Sequence, residues 1–211
     1  MKNVFFLSGL GADKRVFDYL NLEGHLLHHI IWVEPFREET ITEYARRLVP
    51  QIQGDNPILI GVSFGGIIAL EIAGIIKPEM VILISSAKSP ADIPGHFKLM
   101  ARLNIYKFIR PKPVRTANPV MFWLFGIVRK EHKTLLSAIM ADTDEMFFAW
   151  AVEAIPAWKG STPSCKVIQV HGTRDRILTF RSADYIVPRG GHLMIVTHAD
   201  EISQILQGLL K

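Results

Sequence analysis

The sequence predicts an α/β fold in which a mostly parallel, twisted sheet is covered by helices on both faces. Six apolar runs of strand length recur along the 211 residues, and segments with helical periodicity separate them. This alternation is typical of a parallel sheet that is buried on both sides. Because 49% of the residues are apolar, the chain can bury one sizeable core, and a disordered chain is excluded. We therefore expect a single domain over residues 1–211.

Each predicted element has its own local signal. Short apolar runs bounded by turn residues mark the strands, and apolar residues spaced three and four apart mark the helices. The predicted strands are 3–7, 29–33, 57–62, 80–85, 166–170 and 184–187. The predicted helices are 14–20, 42–53, 64–76 and a closing amphipathic helix that begins with Thr197 as its cap. The helix at 64–76 is apolar almost all round, so we expect it to be buried in the middle of the domain.

The regular alternation of strands and helices stops between Ile84 and Lys166. Proline-rich stretches and aromatic segments with helical patterns fill this interval, and we predict a helical insertion, the lid, at residues 88–160. An insertion after the carboxyl end of a parallel strand lies over the edge where open α/β sheets bind ligands. The lid is therefore expected to cover a ligand site.

The positive charge of the chain is concentrated in the lid. Residues 88–160 hold 11 lysine and arginine residues against 6 aspartate and glutamate residues, while the whole chain carries a formal charge of +4. A solvated helical face is one explanation. An anionic substrate, such as an acyl thioester with phosphates, or a membrane surface would also favour this excess, and the sequence leaves these alternatives open.

The stretch from Gly61 to Gly65 matches the pattern G-x-S-x-G, with Ser63 at its centre. A predicted strand ends just before Ser63 and a buried helix begins just after it, and this strand-turn-helix setting is the one in which such a serine acts as a nucleophile. The glycines make room for a tight turn. The alternative is a serine that only occupies a strand-to-helix turn. A phosphate-binding loop is disfavoured, because it would need lysine where Ile67 stands.

A serine hydroxyl needs a base to take its proton, and the base needs a carboxylate to hold its tautomer and stabilise its cation. Asp175 follows one predicted strand in "VIQVHGTRDRI", and His192 follows the next in "DYIVPRGGHLMIV". The order Ser63, Asp175, His192 is the chain order expected for this type of sheet. These three residues are our candidate catalytic set.

Other histidines and carboxylates compete poorly for these roles. His171 precedes a glycine at a strand end and is expected to shape the loop that carries Asp175. His25, His28 and His29 lack a third ligand nearby, so we expect a solvated sheet edge and no metal. Surface positions are expected for His96 and His132, although both lie in the lid and could touch substrate. Asp142 and Asp144 are interpreted as helix-start residues.

Acyl transfer through a tetrahedral intermediate needs two backbone donors for the developing oxyanion. The N–H of Phe64, directly after the nucleophile, is one candidate, and the loop "LSGLGADKRVF" after the first strand supplies the other. Because Gly9 and Gly11 have no side chains, the backbone can approach a ligand closely, and Leu10 N–H is the expected donor. A glycine turn that merely connects two elements is the alternative.

Taken together, the motifs "LSGLGADKRVF", "GVSFGG", "HGTRDRI" and "GGHLMIV" resemble the α/β-hydrolase fold superfamily over nearly the whole chain. The resemblance implies a serine hydrolase with Ser63 as nucleophile, His192 as base and Asp175 as acid, without a cofactor, and with a lid at 88–160. The sequence departs from the family at three places. Ser8-Gly9 stands where the family commonly has His-Gly, the usual leading antiparallel strands are expected to be missing, and the crossover after Asp175 is too short for a normal helix.

A serine nucleophile implies transfer of an acyl group from an ester, thioester or amide. We expect a carboxylesterase or thioesterase for a small or medium apolar acyl group, because the lid is rich in aromatic residues that can cover such a group. Most of them should pack the lid against the body, and Phe122, Trp123 and Trp150 are the selected substrate contacts. The aromatic residues are Phe97, Phe108, Phe122, Trp123, Phe125, Phe147, Phe148, Trp150 and Trp158.

The remaining expectations concern location, partners and the rival function. The only cysteine, Cys165, cannot form an intramolecular disulfide, and the first apolar run is too short for a signal peptide, so a cytoplasmic enzyme is predicted. The partner is expected to be a small acyl substrate, with neither nucleic acid nor stable membrane insertion. The alternative is a ligand-binding or signalling protein that keeps the triad but has little turnover.

Overall fold

A computed structural model describes residues 1–102 and 117–211 of the chain. Of the lid aromatic residues named above, Phe108 lies outside the described residues. Four of the basic lid residues, Lys107, Arg110, Lys112 and Arg115, also lie outside them, and the side chains of Lys98 and Arg102 are not described.

Six strands in the described part form one sheet, and every pairing between them is parallel. The order across the sheet is β2-β1-β3-β4-β5-β6. The predicted α/β architecture is thus confirmed. The strands are β1 Asn3–Leu7, β2 Leu26–His29, β3 Ile58–Val62, β4 Met80–Ile84, β5 Lys166–Gly172 and β6 Tyr185–Val187.

The second strand lies before its predicted position. β2 ends at His29, and the apolar run at 30–33 that suggested a strand leaves the sheet after Ile30, whose N–H still bonds the Phe6 carbonyl. Ile30, Trp32 and Val33 of that run are covered by packing rather than by strand pairing, whereas Ile31 is 72% exposed. Trp32, for example, packs against Tyr44 and Phe64. The prediction of 29–33 was wrong because an apolar run signals burial and does not by itself signal pairing.

Eight α-helices and three short 3₁₀ turns occur among the described residues. The helices are α1 Ile41–Leu48, α2 Phe64–Ile75, α3 Gly95–Arg102, α4 Pro119–Phe125, α5 Lys130–Ala141, α6 Glu145–Ala157, α7 Met194–Thr197 and α8 Ala199–Leu209. The 3₁₀ turns are Lys14–Phe17, Val49–Gln51 and Pro90–Asp92. None of these helices combines the length and the apolar character needed to cross a membrane.

Two predicted helices are shorter than expected. The first is a single 3₁₀ turn, and the second ends as an α-helix at Leu48 because Pro50 cannot donate a backbone hydrogen bond. The start of α1 is fixed by a reciprocal capping pair, in which Thr40 and Glu43 bond each other's backbone N–H.

The closing helix does not begin at Thr197. A short helix, α7, ends there, the backbone bends at His198, and α8 follows. The Thr197 hydroxyl donates to the Leu193 carbonyl behind it, so it does not cap the next helix.

Alternate residues of the strands pack into two cores, one on each face of the sheet. Val4 and Phe6 point to the side covered by α7 and α8, while Phe5 and Leu7 point to the side covered by α1, α2 and α6. Helix α2 is buried from Phe64 through its tenth residue, as its all-round apolar sequence predicts.

Helices α3 to α6 lie in the described part of the interval between β4 and β5, where the lid is expected. Asp144 caps α6 through the Phe147 N–H, as its interpretation as a helix-start residue predicts. Asp142 instead follows the end of α5 and pairs with Arg15 at 2.7 Å, so its interpretation as a helix-start residue was wrong. The crossover from β5 to β6 contains no helix, in agreement with its predicted shortness.

Candidate active site

Ser63 occupies a strained turn between β3 and α2. Its φ of 52° and ψ of −119° lie outside the regions that residues with a Cβ ordinarily adopt. The neighbouring glycines permit close packing of this turn rather than an unusual φ. A Cβ at Gly65 would overlap the carbonyls of Leu7 and Ser8, and a Cβ at Gly61 would overlap the backbone of the following helix. The glycines therefore make room for the tight turn, as predicted, because neighbouring backbone occupies the space that a Cβ would need.

Backbone and side-chain bonds hold the turn from both sides. The Ser63 N–H donates to the Ile84 carbonyl at 2.9 Å, and the Ser86 hydroxyl donates to the Ser63 carbonyl at 2.6 Å. Both partners lie at the end of β4, the next strand of the sheet. The serine is consequently fixed relative to the central strands.

The structure brings Ser63, His192 and Asp175 together in one hydrogen-bonded chain. His192 Nε2 lies 2.9 Å from Ser63 Oγ, and His192 Nδ1 lies 2.8 Å from Asp175 Oδ2. With the proton assigned to Nδ1, the ring donates to the carboxylate and Nε2 is free to accept the serine hydroxyl proton. His192 and Asp175 are 4% and 5% exposed, so the bond between them is shielded from water, while half-buried Ser63 faces a cavity. This arrangement can activate a serine for nucleophilic attack.

Asp175 is held as a carboxylate despite its burial. Burial alone would raise the pKa of Asp175, but the charge of His192 and hydrogen bonds from His171, His192 and the Leu178 N–H lower it below the ordinary range. Its Oδ1 accepts the N–H groups of Ile177 and Leu178, each at 2.9 Å. The loop after β5 is thus folded around the carboxylate that it carries.

His171, the second-last residue of β5, contacts the same carboxylate. Its Nε2 lies 2.8 Å from the Leu178 carbonyl and 3.3 Å from Asp175 Oδ2. The side chain is 4% exposed and ties the two ends of the loop together. The expectation that His171 shapes the acid loop is confirmed.

The two candidate oxyanion donors lie beside Ser63. Leu10 and Phe64 both line the cavity that contains the serine. Gly9 approaches so closely that a Cβ there would lie 3.3 Å from the Ser63 Cβ. As the first residue of α2, Phe64 has a backbone N–H with no acceptor in its own helix. Both residues therefore border the space beside Ser63, and the donor role of their N–H groups stays a prediction.

Ser8, which replaces the histidine common in the resembled family, has its own hydrogen bonds. Its hydroxyl donates to the Ala12 carbonyl at 2.9 Å and accepts the Trp32 indole N–H at 2.9 Å. The side chain is buried. It closes the loop after β1 and so fixes the backbone at Leu10.

An apolar cavity of about 410 Å³ opens beside Ser63 and His192. Two lid helices supply one wall through residues that recur at helical spacing. These residues are Met121, Leu124 and Phe125 of α4 and Phe148, Val152 and Ile155 of α6. Exposed His96 reaches the rim from α3, while Phe125 packs edge-on against the His192 ring at a centroid distance of 5.5 Å. The cavity offers a mostly apolar environment next to the serine hydroxyl.

The three aromatic residues selected from the sequence do not line this cavity. Phe122 and Trp123 lie on the opposite face of α4, where they line a separate cleft. Trp150 packs on Tyr44 at a centroid distance of 4.4 Å and donates its indole N–H to the Glu39 carbonyl, so it anchors the lid to the body. The residues at 121, 124 and 125 have the spacing of one helical face. Because every position of this helix is apolar, however, the sequence does not show which face points inward.

Sequence reasoning also missed Arg176, which lines both the apolar cavity and the separate cleft. Its guanidinium donates to the Trp123 carbonyl at 2.6 Å and lies 4.5 Å from the Trp123 ring centroid. The signal was present in the motif "HGTRDRI", where arginines flank Asp175. His132 was also misplaced: it is 5% exposed and lines the separate cleft, so the expected surface position was wrong.

Among the described residues, no group of three or more histidine, cysteine, aspartate or glutamate side chains is placed to hold a metal ion. His28 and His29 stack on Phe5 and Phe6 at the edge of the sheet. That the site needs no metal or cofactor stays a prediction.

Nearly the whole chain resembles several solved structures at low sequence identity. An esterase from Exiguobacterium antarcticum matches with a TM-score of 0.77 and 16% identity, over 99% of this chain and 91% of that one. A lipase-esterase related protein from Clostridium acetobutylicum matches with 0.74 and 15%, over 98% and 93%. A hydrolase from Oleispira antarctica matches with 0.71 and 13%, over 99% and 90%. At these identities the likeness shows a shared fold and no more.

Sequence comparison assigns the family. A search of curated proteins gives no match to the chain. A sequence model described as the alpha/beta hydrolase family, in contrast, matches residues 4–205, an interval that contains Ser63, Asp175 and His192. Since this match covers nearly all of the sequence, the chain belongs to the alpha/beta hydrolase family.

Proposed function

We propose that this protein is a serine esterase that cleaves carboxylic esters or thioesters of small or medium apolar acyl groups through an acyl-enzyme. The observation that carries the proposal is the hydrogen-bonded chain from Ser63 through His192 to Asp175, which opens on an apolar cavity of about 410 Å³. The polar chain supplies a nucleophile and its base, and the cavity supplies room for an apolar acyl group.

In the first half-reaction, Ser63 Oγ forms a bond to the acyl carbonyl carbon while His192 Nε2 takes the hydroxyl proton. The Asp175 carboxylate, bonded to Nδ1–H at 2.8 Å, stabilises the imidazolium that forms. The carbonyl oxygen becomes an oxyanion and accepts hydrogen bonds from the N–H groups of Leu10 and Phe64. The bond to the leaving group then breaks, and His192 returns the proton to the departing oxygen or sulfur.

In the second half-reaction, water replaces the leaving group. His192 takes a proton from the water as its oxygen attacks the acyl-enzyme carbonyl, and the same two N–H groups bind the second oxyanion. Ser63 regains its proton from His192 when the acid departs. All proton transfers pass through one nitrogen, Nε2, because Nδ1 remains bonded to Asp175.

Labelling with a fluorophosphonate probe tests the nucleophile. The wild-type protein should be labelled, and Ser63→Ala should not, whereas Ser182→Ala, at an exposed serine elsewhere, should react like the wild type. Equal labelling of Ser63→Ala would contradict the proposal. Turnover is tested with an ester and thioester panel graded by acyl length, on which Ser63→Ala should lose about 10⁴-fold or more in kcat. Labelling of Ser63 without turnover of any acyl ester would favour a ligand-binding or signalling protein.

A further inference from the structure

A second cleft, of about 670 Å³, lies on the far side of α4 from the apolar cavity. Helices α4 and α5 form one wall, and the loops that follow β5 and β6 form the other. Its described lining contains seven basic side chains and no aspartate or glutamate. The basic side chains are Arg129, His132, Lys133, Arg174, Arg176, Arg189 and His198.

Most of this charge is not neutralised within the described part of the chain. Arg174 and Arg189 are exposed and form no ion pair there, and Lys133 contacts the Phe122 ring at 5.5 Å. Arg129 has a carboxylate nearby, that of Glu131 at 3.6 Å. A concave surface lined by charges of one sign focuses the field into the cleft and attracts ions of the opposite sign.

Buried His132 supports a ligand at this place. It is 5% exposed and forms no hydrogen bond among the described residues, and a Glu131 carboxylate oxygen lies 3.8 Å from its Nε2. His132 lines the cleft, where its imidazole nitrogens can exchange hydrogen bonds with a bound group.

The cleft and the apolar cavity share a wall and one side chain. On α4, Met121, Leu124 and Phe125 face the cavity, while Phe122 and Trp123 face the cleft. Arg176 lines both spaces. Arg176 is thus the point at which a molecule with its acyl group beside Ser63 would have to pass to place its other end against the basic side chains.

We propose that the basic cleft binds the anionic, phosphate-bearing leaving group of the acyl substrate; this inference rests on the proposed esterase activity. The match is one of charge and shape: the apolar cavity takes the acyl chain, and the concave cleft takes phosphate groups. Arginine favours such groups because its planar donors pair with phosphate oxygens. A membrane headgroup would also bring phosphate, but a flat bilayer fits a concave cleft poorly.

Two thioesters with the same acyl group test the inference: hexanoyl-coenzyme A, whose leaving group carries phosphates, and hexanoyl-N-acetylcysteamine, whose leaving group is neutral. The ratio of their kcat/KM values is the readout. In Arg174→Gln/Arg189→Gln, the ratio of the phosphate-bearing to the neutral substrate should fall about tenfold or more, since each lost charge-assisted bond weakens binding. The matched control is Lys77→Gln/Lys166→Gln, which removes two exposed charges at the other end of the strands and should leave the ratio unchanged.

The salt dependence of the wild-type protein gives a second measurement that needs no variant. Raising the salt concentration should lower kcat/KM for the phosphate-bearing thioester much more than for the neutral one, because salt screens the attraction.

Hydrolysis of both thioesters with a ratio that neither salt nor the double variant changes would overturn this inference alone. Hydrolysis of esters in the graded panel but of neither thioester would also overturn this inference, whereas hydrolysis of no ester and no thioester would overturn the proposed function beneath it. Loss of binding to phosphatidylserine vesicles in the double variant, with an unchanged ratio, would assign the cleft to a membrane surface and overturn the leaving-group role.

Discussion

Different kinds of interaction hold two regions of the molecule: the loops that follow β3, β5 and β6, and the helices of the lid. In the loops, buried polar groups are bonded at 2.6 to 2.9 Å, and Ser63 itself carries the strained φ of 52°. In the lid, apolar side chains pack over the site, and two tryptophan N–H groups anchor α6 and its end to the body. Trp150 bonds the Glu39 carbonyl, and Trp158 bonds the buried Glu71 carboxylate.

This difference assigns different tasks to the two regions. A buried polar network has one good geometry, and losing a member leaves its partner unsatisfied. Apolar packing of similar volume tolerates exchange more readily. We therefore expect substitutions in the loops to affect the reaction with every substrate, and substitutions in the lid to change which substrates react.

The largest expected effect is a contrast between two histidines that line the same cavity, His192 in a loop and His96 in the lid. His192→Ala removes the base and should lower kcat about 10⁴-fold or more on every ester. His96→Ala, at the exposed rim in α3, should stay within about threefold of the wild type, since no proton transfer is assigned to it. Steady-state kinetics on a short and a medium acyl ester measure both. A similar loss in the two variants would abolish the proposed division between loops and lid.

Acid should weaken the loop network through Asp175. Because its pKa is lowered in the folded protein, the carboxylate contributes stability above the ordinary aspartate pKa of about 3.9, and this contribution is lost as the pH falls below that value. Asp175→Asn cannot titrate, so its deficit in unfolding free energy relative to the wild type should be largest at neutral pH and shrink in acid. Urea unfolding at neutral and acidic pH measures this. Asp55→Asn, at an exposed carboxylate, is the control; a deficit in Asp175→Asn that is independent of pH would contradict the expectation.

The tight packing below Ser63 should make Gly65 intolerant of a side chain. Gly65→Ala places a Cβ against the Leu7 and Ser8 carbonyls, which cannot move without disturbing β1, and should cost about 2–3 kcal/mol of unfolding free energy. Gly208→Ala in α8 meets no atom within 4 Å and should be neutral or stabilising by up to about 1 kcal/mol. Denaturant unfolding compares them. Equal stability of the two variants would show that the turn has more room than the structure gives it.

The candidate triad could be predicted from the sequence because its signals are local. Ser63, Asp175 and His192 each follow an apolar strand, and parallel strands bring their carboxyl ends to one edge of the sheet. The same reasoning supplied the loop of Leu10. What it required was the position of strand ends, and these are marked by glycine and polar residues next to apolar runs.

The lid could not be predicted in the same way. The sequence "PVMFWLF" of α4 is apolar at every position, so periodicity gives no reason to place Leu124 inside and Trp123 outside. That choice depends on how α4 packs against the loop after β6, where the Phe125 carbonyl accepts the Leu193 N–H. The basic cleft was missed for a related reason, since three of its five arginine and lysine side chains come from the loops around Asp175 and His192 rather than from the lid.

The smallest of the expected effects tests whether the lid sets acyl length. Val152 lines the apolar cavity from α6, and Val152→Phe adds volume that a longer acyl chain would otherwise occupy. For a medium acyl ester, kcat/KM should fall about tenfold, while an acetyl ester should change less than about threefold, because misfit in an apolar pocket costs on the order of 1–3 kcal/mol. Val120→Phe, exposed on α4 and outside the cavity, should alter neither. An equal loss on both esters would mean that Val152 acts through the triad, and no loss on either would mean that the acyl group lies elsewhere. Selective loss on the longer ester alone would place acyl recognition in the lid and leave the reaction to the loops.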